Sequence, residues 1–86
     1  MRDVKLVVKS VRSQMEQLIG VPVERIVEIR KQAEGWYMEC EILERADVPS
    51  SMDVIALYGL EVSGEGHVEQ FSRKQSRHRS EVIREK

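Results

Sequence analysis

The chain has 86 residues and a net charge of −1, with 41% hydrophobic and 34% charged residues. That length allows one domain with a thin core, and the apolar share is too high for a disordered chain. Cys40 is the single cysteine, which excludes an internal disulfide, and no apolar run approaches the roughly 20 residues that a membrane-crossing helix needs.

No apolar stretch precedes a small-residue cleavage site, so no signal peptide is read and a cytoplasmic protein without membrane insertion is expected. Charge is unevenly placed. Residues 1–14 carry four basic residues against one acid, residues 15–72 four against twelve, and residues 73–86 six against two. Two cationic ends flank an acidic middle, a pattern that bears on partners and solubility rather than on fold.

The first element is an amphipathic helix from about Arg2 to Ile19. Val4, Val7, Val8, Val11, Met15, Leu18 and Ile19 recur every three or four residues and share a stripe, with Val11 and Met15 at its centre. Lys5, Lys9, Arg12, Ser13 and Glu16 fall largely on the wet side. Gly20 suits a left-handed cap and Pro22 prevents the helix from resuming.

Residues 23–32 carry two signals. Ile26, Ile29 and Ala33 keep helical spacing, whereas the β-branched Ile26, Val27 and Ile29 run into a Glu34-Gly35 turn ahead of a strong strand. A strand is expected, with a helix as the alternative.

The clearest strand spans Trp36 to Ile42. Trp36, Met38, Cys40 and Ile42 point one way, and Tyr37, Glu39 and Glu41 point the other, so one face is buried and one is wet. A loop follows from Ala46 to Met52, marked by Val48-Pro49-Ser50-Ser51. Its ends carry Glu44 and Arg45 on one side and Asp53 on the other, and a charge-assisted bond from Arg45 to Asp53 is expected to close it.

Val54 to Val62 is a mostly apolar run that includes Tyr58, expected in the core with its hydroxyl at the rim. Ser63-Gly64-Glu65-Gly66 turns the chain into a return strand, His67 to Ser72. From Arg73 the chain is polar, and a weak helix or a disordered tail is expected. The parts fit an α+β fold: an N-terminal helix on a three- to four-stranded antiparallel sheet of two hairpins. Residues 1–72 form one domain in this reading, and 73–86 form a basic helix or flexible tail.

Catalytic chemistry finds little to rest on. There is no phosphate loop, no nucleophile elbow and no Cys/His pair at ligand spacing, so no metal, cofactor or small-molecule substrate is expected. His67 and His78 read as solvated. Glu39 and Glu41 share a wet face where neither is desolvated, unlike an acid–base pair. Cys40, between Met38 and Ile42 on the inward side, reads as a small apolar residue.

The basic cluster Arg73-Lys74-Gln75-Ser76-Arg77-His78-Arg79 raises nucleic-acid binding as a second function. It lacks interleaved aromatics and adjoins an acidic body, so contact with acidic protein surface is preferred.

The stretch Gly35-Trp36-Tyr37-Met38-Glu39-Cys40-Glu41-Ile42-Leu43-Glu44-Arg45, followed by Val48-Pro49-Ser50-Ser51-Met52-Asp53-Val54-Ile55-Ala56-Leu57-Tyr58, resembles the gas vesicle protein O family. The helix ending at Gly20 and the segment Gly66-x-Val68-x-x-Phe71-x-Arg73 are similar to it as well. Gly59 departs from the family's common Glu, and Arg77-His78-Arg79 replaces its Arg-Tyr-x-Arg-like segment.

The resemblance implies a non-catalytic accessory protein of gas vesicle assembly, cytoplasmic and associated with the vesicle, with other gas vesicle proteins as partners. The expected partner-binding residues are Glu39, Glu41, Glu44, Arg45, Asp53, Arg73 and Arg77. Exposed strand edges permit a weak dimer and do not demand one, so the oligomeric state is left as monomer or weak dimer.

Overall fold

A computed structural model describes residues 3–80 and gives one helix packed on a four-stranded antiparallel sheet. Helix α1 spans Val4–Ile19. Asp3 caps its start, with a carboxylate oxygen accepting from the Lys5 N–H at 2.8 Å. Gly20 ends it at φ +90°, in the left-handed region, and donates its N–H to the Glu16 carbonyl at 2.7 Å.

Strand β1 spans Val23–Gln32, β2 Gly35–Arg45, β3 Val54–Ser63 and β4 Val68–His78, with a short 3-10 turn at Ser50–Met52. The strands pair in chain order as a meander. Two ends therefore differ. The β1–β2 and β3–β4 turns lie at one, and the longer β2–β3 loop, with the cis Val48–Pro49 bond, lies at the other.

Residues 23–32 are a strand, and the register explains their helix-like spacing. Val23, Ile26 and Ile29 stand opposite Ile42, Cys40 and Met38, all on the side facing α1. Bulges between Val23 and Arg25 and between Ile26 and Glu28 each insert one residue, so the inward positions fall three apart. The pattern of a helix arises here from a twice-bulged strand.

The core lies between α1 and the sheet. Val7, Val11 and Met15 of the helix meet Val23, Trp36, Met38, Cys40, Ile42, Leu60 and Val62 of the strands. Burying each large side chain stabilises the fold by roughly 1.5–3 kcal/mol. Tyr58 is half-buried against this cluster and tilts against Phe71, with ring centroids 6.1 Å apart. Gln14 fixes the helix to the sheet, donating to the Gly66 carbonyl at 2.6 Å and accepting from the Val68 N–H at 2.9 Å.

Three expectations need correction. Residues 73–78, expected to begin a helix or tail, continue β4; residues 81–86 lie outside the described residues. Leu18, assigned to the buried stripe, is 57% exposed, while Ile19 beside it packs against the core. Glu41, assigned to the wet face, is only 8% exposed, because side chains from both edge strands close over it.

Candidate interaction surface

The sheet face turned away from α1 carries the odd-numbered residues of β2. Tyr37, Glu39 and Glu41 stand opposite Glu61, Gly59 and Leu57 of β3, and opposite Arg30, Glu28 and Arg25 of β1. Cross-strand neighbours on one face interact, and this register sets Glu41 against Arg25 and the Tyr37 ring against Arg30, while Glu39 faces Glu28 and Gly59.

At the centre, the Tyr37 hydroxyl donates to Glu39 Oε2 at 2.7 Å and accepts from Lys74 Nζ at 2.8 Å. Lys74 also reaches Glu39 Oε2 at 3.2 Å. The Arg30 guanidinium and the Lys74 ammonium lie 5.2 and 5.4 Å from the Tyr37 ring centroid, a cation on each count within reach of the ring's negative face. The Tyr37 hydrogen bond foremost, with Lys74 and Arg30 assisting, holds the Glu39 carboxyl below its usual range. Lys74 is raised, again chiefly through Tyr37.

This arrangement depends on Gly59. A Cβ there would lie 2.8 Å from the Tyr37 hydroxyl and 3.2 Å from Lys74 Cδ, so the absent side chain is what lets both groups lie over β3. The departure from the family's Glu at this position is thus occupied by the tyrosine and lysine of the neighbouring strands.

Towards the loop end, Glu41 binds Arg25 of β1 and Arg77 of β4, each at 3.1 Å. One carboxylate on β2 thereby ties the two edge strands together. Ile55, on the same outer side opposite Leu43 and Arg77, is buried as a small apolar centre separate from the main core.

The other expected residues lie elsewhere. Glu44 and Arg73 form a two-pronged pair at 2.7 and 2.8 Å on the helix side, next to Tyr58. That bond lowers the Glu44 pKa and raises that of Arg73. Arg45 does not close the loop onto Asp53. It bonds Asp47 at 2.8 and 3.1 Å, two residues along its own chain.

Asp53 closes the loop by another route. It accepts from the Asp47 N–H at 2.8 Å and from Arg79 Nε at 3.0 Å, which together, the backbone bond first, hold its carboxyl below the usual range. Arg79 continues to both Glu24 oxygens at 3.2 and 2.8 Å, and its own N–H donates to the Asp53 carbonyl at 2.7 Å. A residue just past β4 therefore spans the sheet end as far as β1.

All the residues singled out from sequence are thus paired inside the chain, but in three separate groups rather than one patch. Sequence reasoning missed Arg25 and Arg30, and it named Tyr37 only as an outward residue and Lys74 and Arg79 only as parts of the basic run. The available signal was the acidic β2 and the basic run after Arg73, which reads as two adjoining charges only once β4 is recognised as a strand.

Cys40 is fully buried, and burial pushes its thiol up to about 11, far from a reactive thiolate. Among the described residues no three His, Cys, Asp or Glu side chains gather to hold a metal, and no helix is long and apolar enough to cross a membrane.

Fold and surface define a class: a small α+β protein with one sheet face packed under a helix and the other organised as a lattice of ion pairs. A family model described as Gas vesicle synthesis protein GvpO matches residues 1–82, and the chain belongs to that family. Membership supports a role in gas vesicle synthesis.

A curated relative, Gas vesicle protein O of Streptomyces sp. (strain CB03234), is 29% identical over 67 residues, covering 78% of this chain and 52% of that protein. The chain therefore spans about half the length of the curated relative it matches. No solved structure matches.

Proposed function

We propose that the chain is a non-catalytic accessory protein of gas vesicle assembly that acts in the cytoplasm through contacts with other gas vesicle proteins. The observation that carries this reading is the outer sheet face, where Arg30 and Lys74 both approach the Tyr37 ring and Glu39 and Glu41 each have fixed partners. Side chains already held in place lose little conformational freedom on docking, and alternating charges select a partner of complementary pattern.

The carboxylates also speak against acid–base work. Glu39 and Glu44 are held below the usual range, whereas a general acid near neutral pH needs a raised value. The proposed contact residues are Glu39 and Arg77 on the outer face, Arg45 at the loop end, and Glu44 and Arg73 on the helix side, with the buried Glu41 and Asp53 holding their neighbours in place.

Affinity purification of the chain from cells making gas vesicles tests the reading. Other gas vesicle proteins are expected to co-purify. The double swap of Glu39→Lys with Lys74→Glu keeps an internal pair but inverts the polarity of the face, so it should retain the fold and lose the partner. Undiminished capture by that variant would remove the outer face from the reading. Steep salt-dependent binding of the native chain to DNA would instead favour a nucleic-acid function.

A further inference from the structure

The outer face has an opening that the network around Tyr37 leaves unfilled. Over the backbone of Gly59 lies a recess of about 160 Å³, open to solvent and walled mainly by Tyr37, Lys74, Glu61, Gln70 and Ser72. Its position follows from the register. Glu39 and Ser72 flank Gly59 in one cross-strand row, and Tyr37 and Gln70 flank Glu61 in the next on the same face. The missing side chain at position 59 therefore leaves a gap among longer ones.

Several polar groups on this wall have hydrogen-bonding capacity left over. The Lys74 ammonium has three protons, of which the Tyr37 hydroxyl and Glu39 Oε2 take two. The side chains of Glu61, Gln70 and Ser72 bond to no described residue. Charge on the wall is balanced between the two sides of the gap. Glu61 stands two residues from Gly59 towards the turn end of the sheet, and Lys74 emerges from the bulge on the loop-end side.

That balance selects the guest. A carboxylate placed there would meet Glu61, and an ammonium would meet Lys74. A neutral carboxamide instead offers its oxygen to Lys74 and Ser72 and its N–H groups to Glu61. Volume points the same way: small-molecule pockets run from about 300 Å³ upwards, so this opening has room for one side chain rather than for a cofactor or metabolite.

We propose that the recess over Gly59 receives the side-chain carboxamide of an asparagine or glutamine of a partner protein, its oxygen on Lys74 and its nitrogen on Glu61. Such an anchor deepens the adaptor reading and rests on it, placing a neutral polar contact in the middle of a face of paired charges. A site that hydrogen-bonds both ends of an amide rejects guests lacking one of them, because a wall group then loses its water without replacement.

Backbone amide chemical-shift titration of the full chain is the test. The probe is N-acetylglutamine methylamide, set against its glutamate and lysine counterparts at neutral pH. Binding of the glutamine probe in about the millimolar range is expected, with shifts at Gly59, Gln70 and Ser72, and each charged probe should bind about fivefold more weakly. Glu61→Gln, a change at an exposed position, should raise the glutamate probe to the level of the glutamine probe. Absence of shifts at those residues, equal affinity for all three probes, or an order unaltered by Glu61→Gln would overturn the proposal. The titration uses no partner, so such a failure is distinct from failed co-purification, which bears on the adaptor reading.

Discussion

The two faces of the sheet are built by the same alternation along β2 and are held by different physics. On the helix side Trp36, Met38, Cys40 and Ile42 lose almost all contact with water. Their stabilisation scales with area and tolerates small shifts. On the outer side Tyr37, Glu39 and Glu41 are ordered by hydrogen bonds and ion pairs whose individual contributions are small but whose geometry is demanding. The comparison teaches that one face sets how stable the protein is, and the other sets what shape and charge it presents.

The largest blow to this comparison falls on the helix side. Met38→Ala should cost about 2–5 kcal/mol, a large share of the stability of a domain this size, as read by urea denaturation. Were it to cost no more than a surface change, the account of the core would be wrong. Gly59→Ala is next: the added methyl pushes Tyr37 and Lys74 off β3, with an expected cost of about 1 kcal/mol. Its signature would be loss of the Tyr37–Glu39–Lys74 arrangement by NMR while the packing around Trp36 persists.

Acid sharpens the contrast further. Glu39, Glu44 and Asp53 all have folded pKa values below their unfolded ones, so their contribution is complete above about pH 5 and is lost as pH falls through and below about 4. Melting temperature should fall over that window. In the Glu39→Gln, Glu44→Gln double variant the fall should be shallower, and an unchanged profile would contradict the assignment. Cys40 acts at the other extreme: its raised value means that unfolded chains ionise first, so stability should decline between about pH 9 and 11.

The smallest expected effect is that of Arg45→Ala. Its bond to Asp47 is solvent-exposed and should be worth only a few tenths of a kcal/mol by thermal melting. Asp53→Ala is the informative comparison, because Asp53 rather than Arg45 joins the loop to the end of β4. Faster amide exchange at residues 47–53 is expected in that variant and not in Arg45→Ala.

Much of the fold was legible because local patterns agreed with it. The three-to-four spacing of Val7, Val11 and Met15, the Gly20-x-Pro22 stop and the alternation from Trp36 to Ile42 each point to one structure. The candidate surface was less so. Glu39 and Glu41 were placed on the correct face, yet nothing within β2 says that Lys74 and Arg77 arrive from thirty-odd residues away to neutralise them. The loop contact went to Arg79 rather than Arg45 for the same reason: nearness in sequence is a poor guide to which guanidinium reaches a buried carboxylate.

The sequence by itself determined the helix, the inward residues of the central strands and the kinship with gas vesicle synthesis proteins, because apolar periodicity and motif spacing are local properties. The strand expected over residues 23–32 is present, but only the tertiary structure decided that bulges space its Val23, Ile26 and Ile29, and that the polar run after Arg73 is an edge strand. Both decisions rest on cross-strand register, which brings distant residues together and so leaves no periodic trace along the chain.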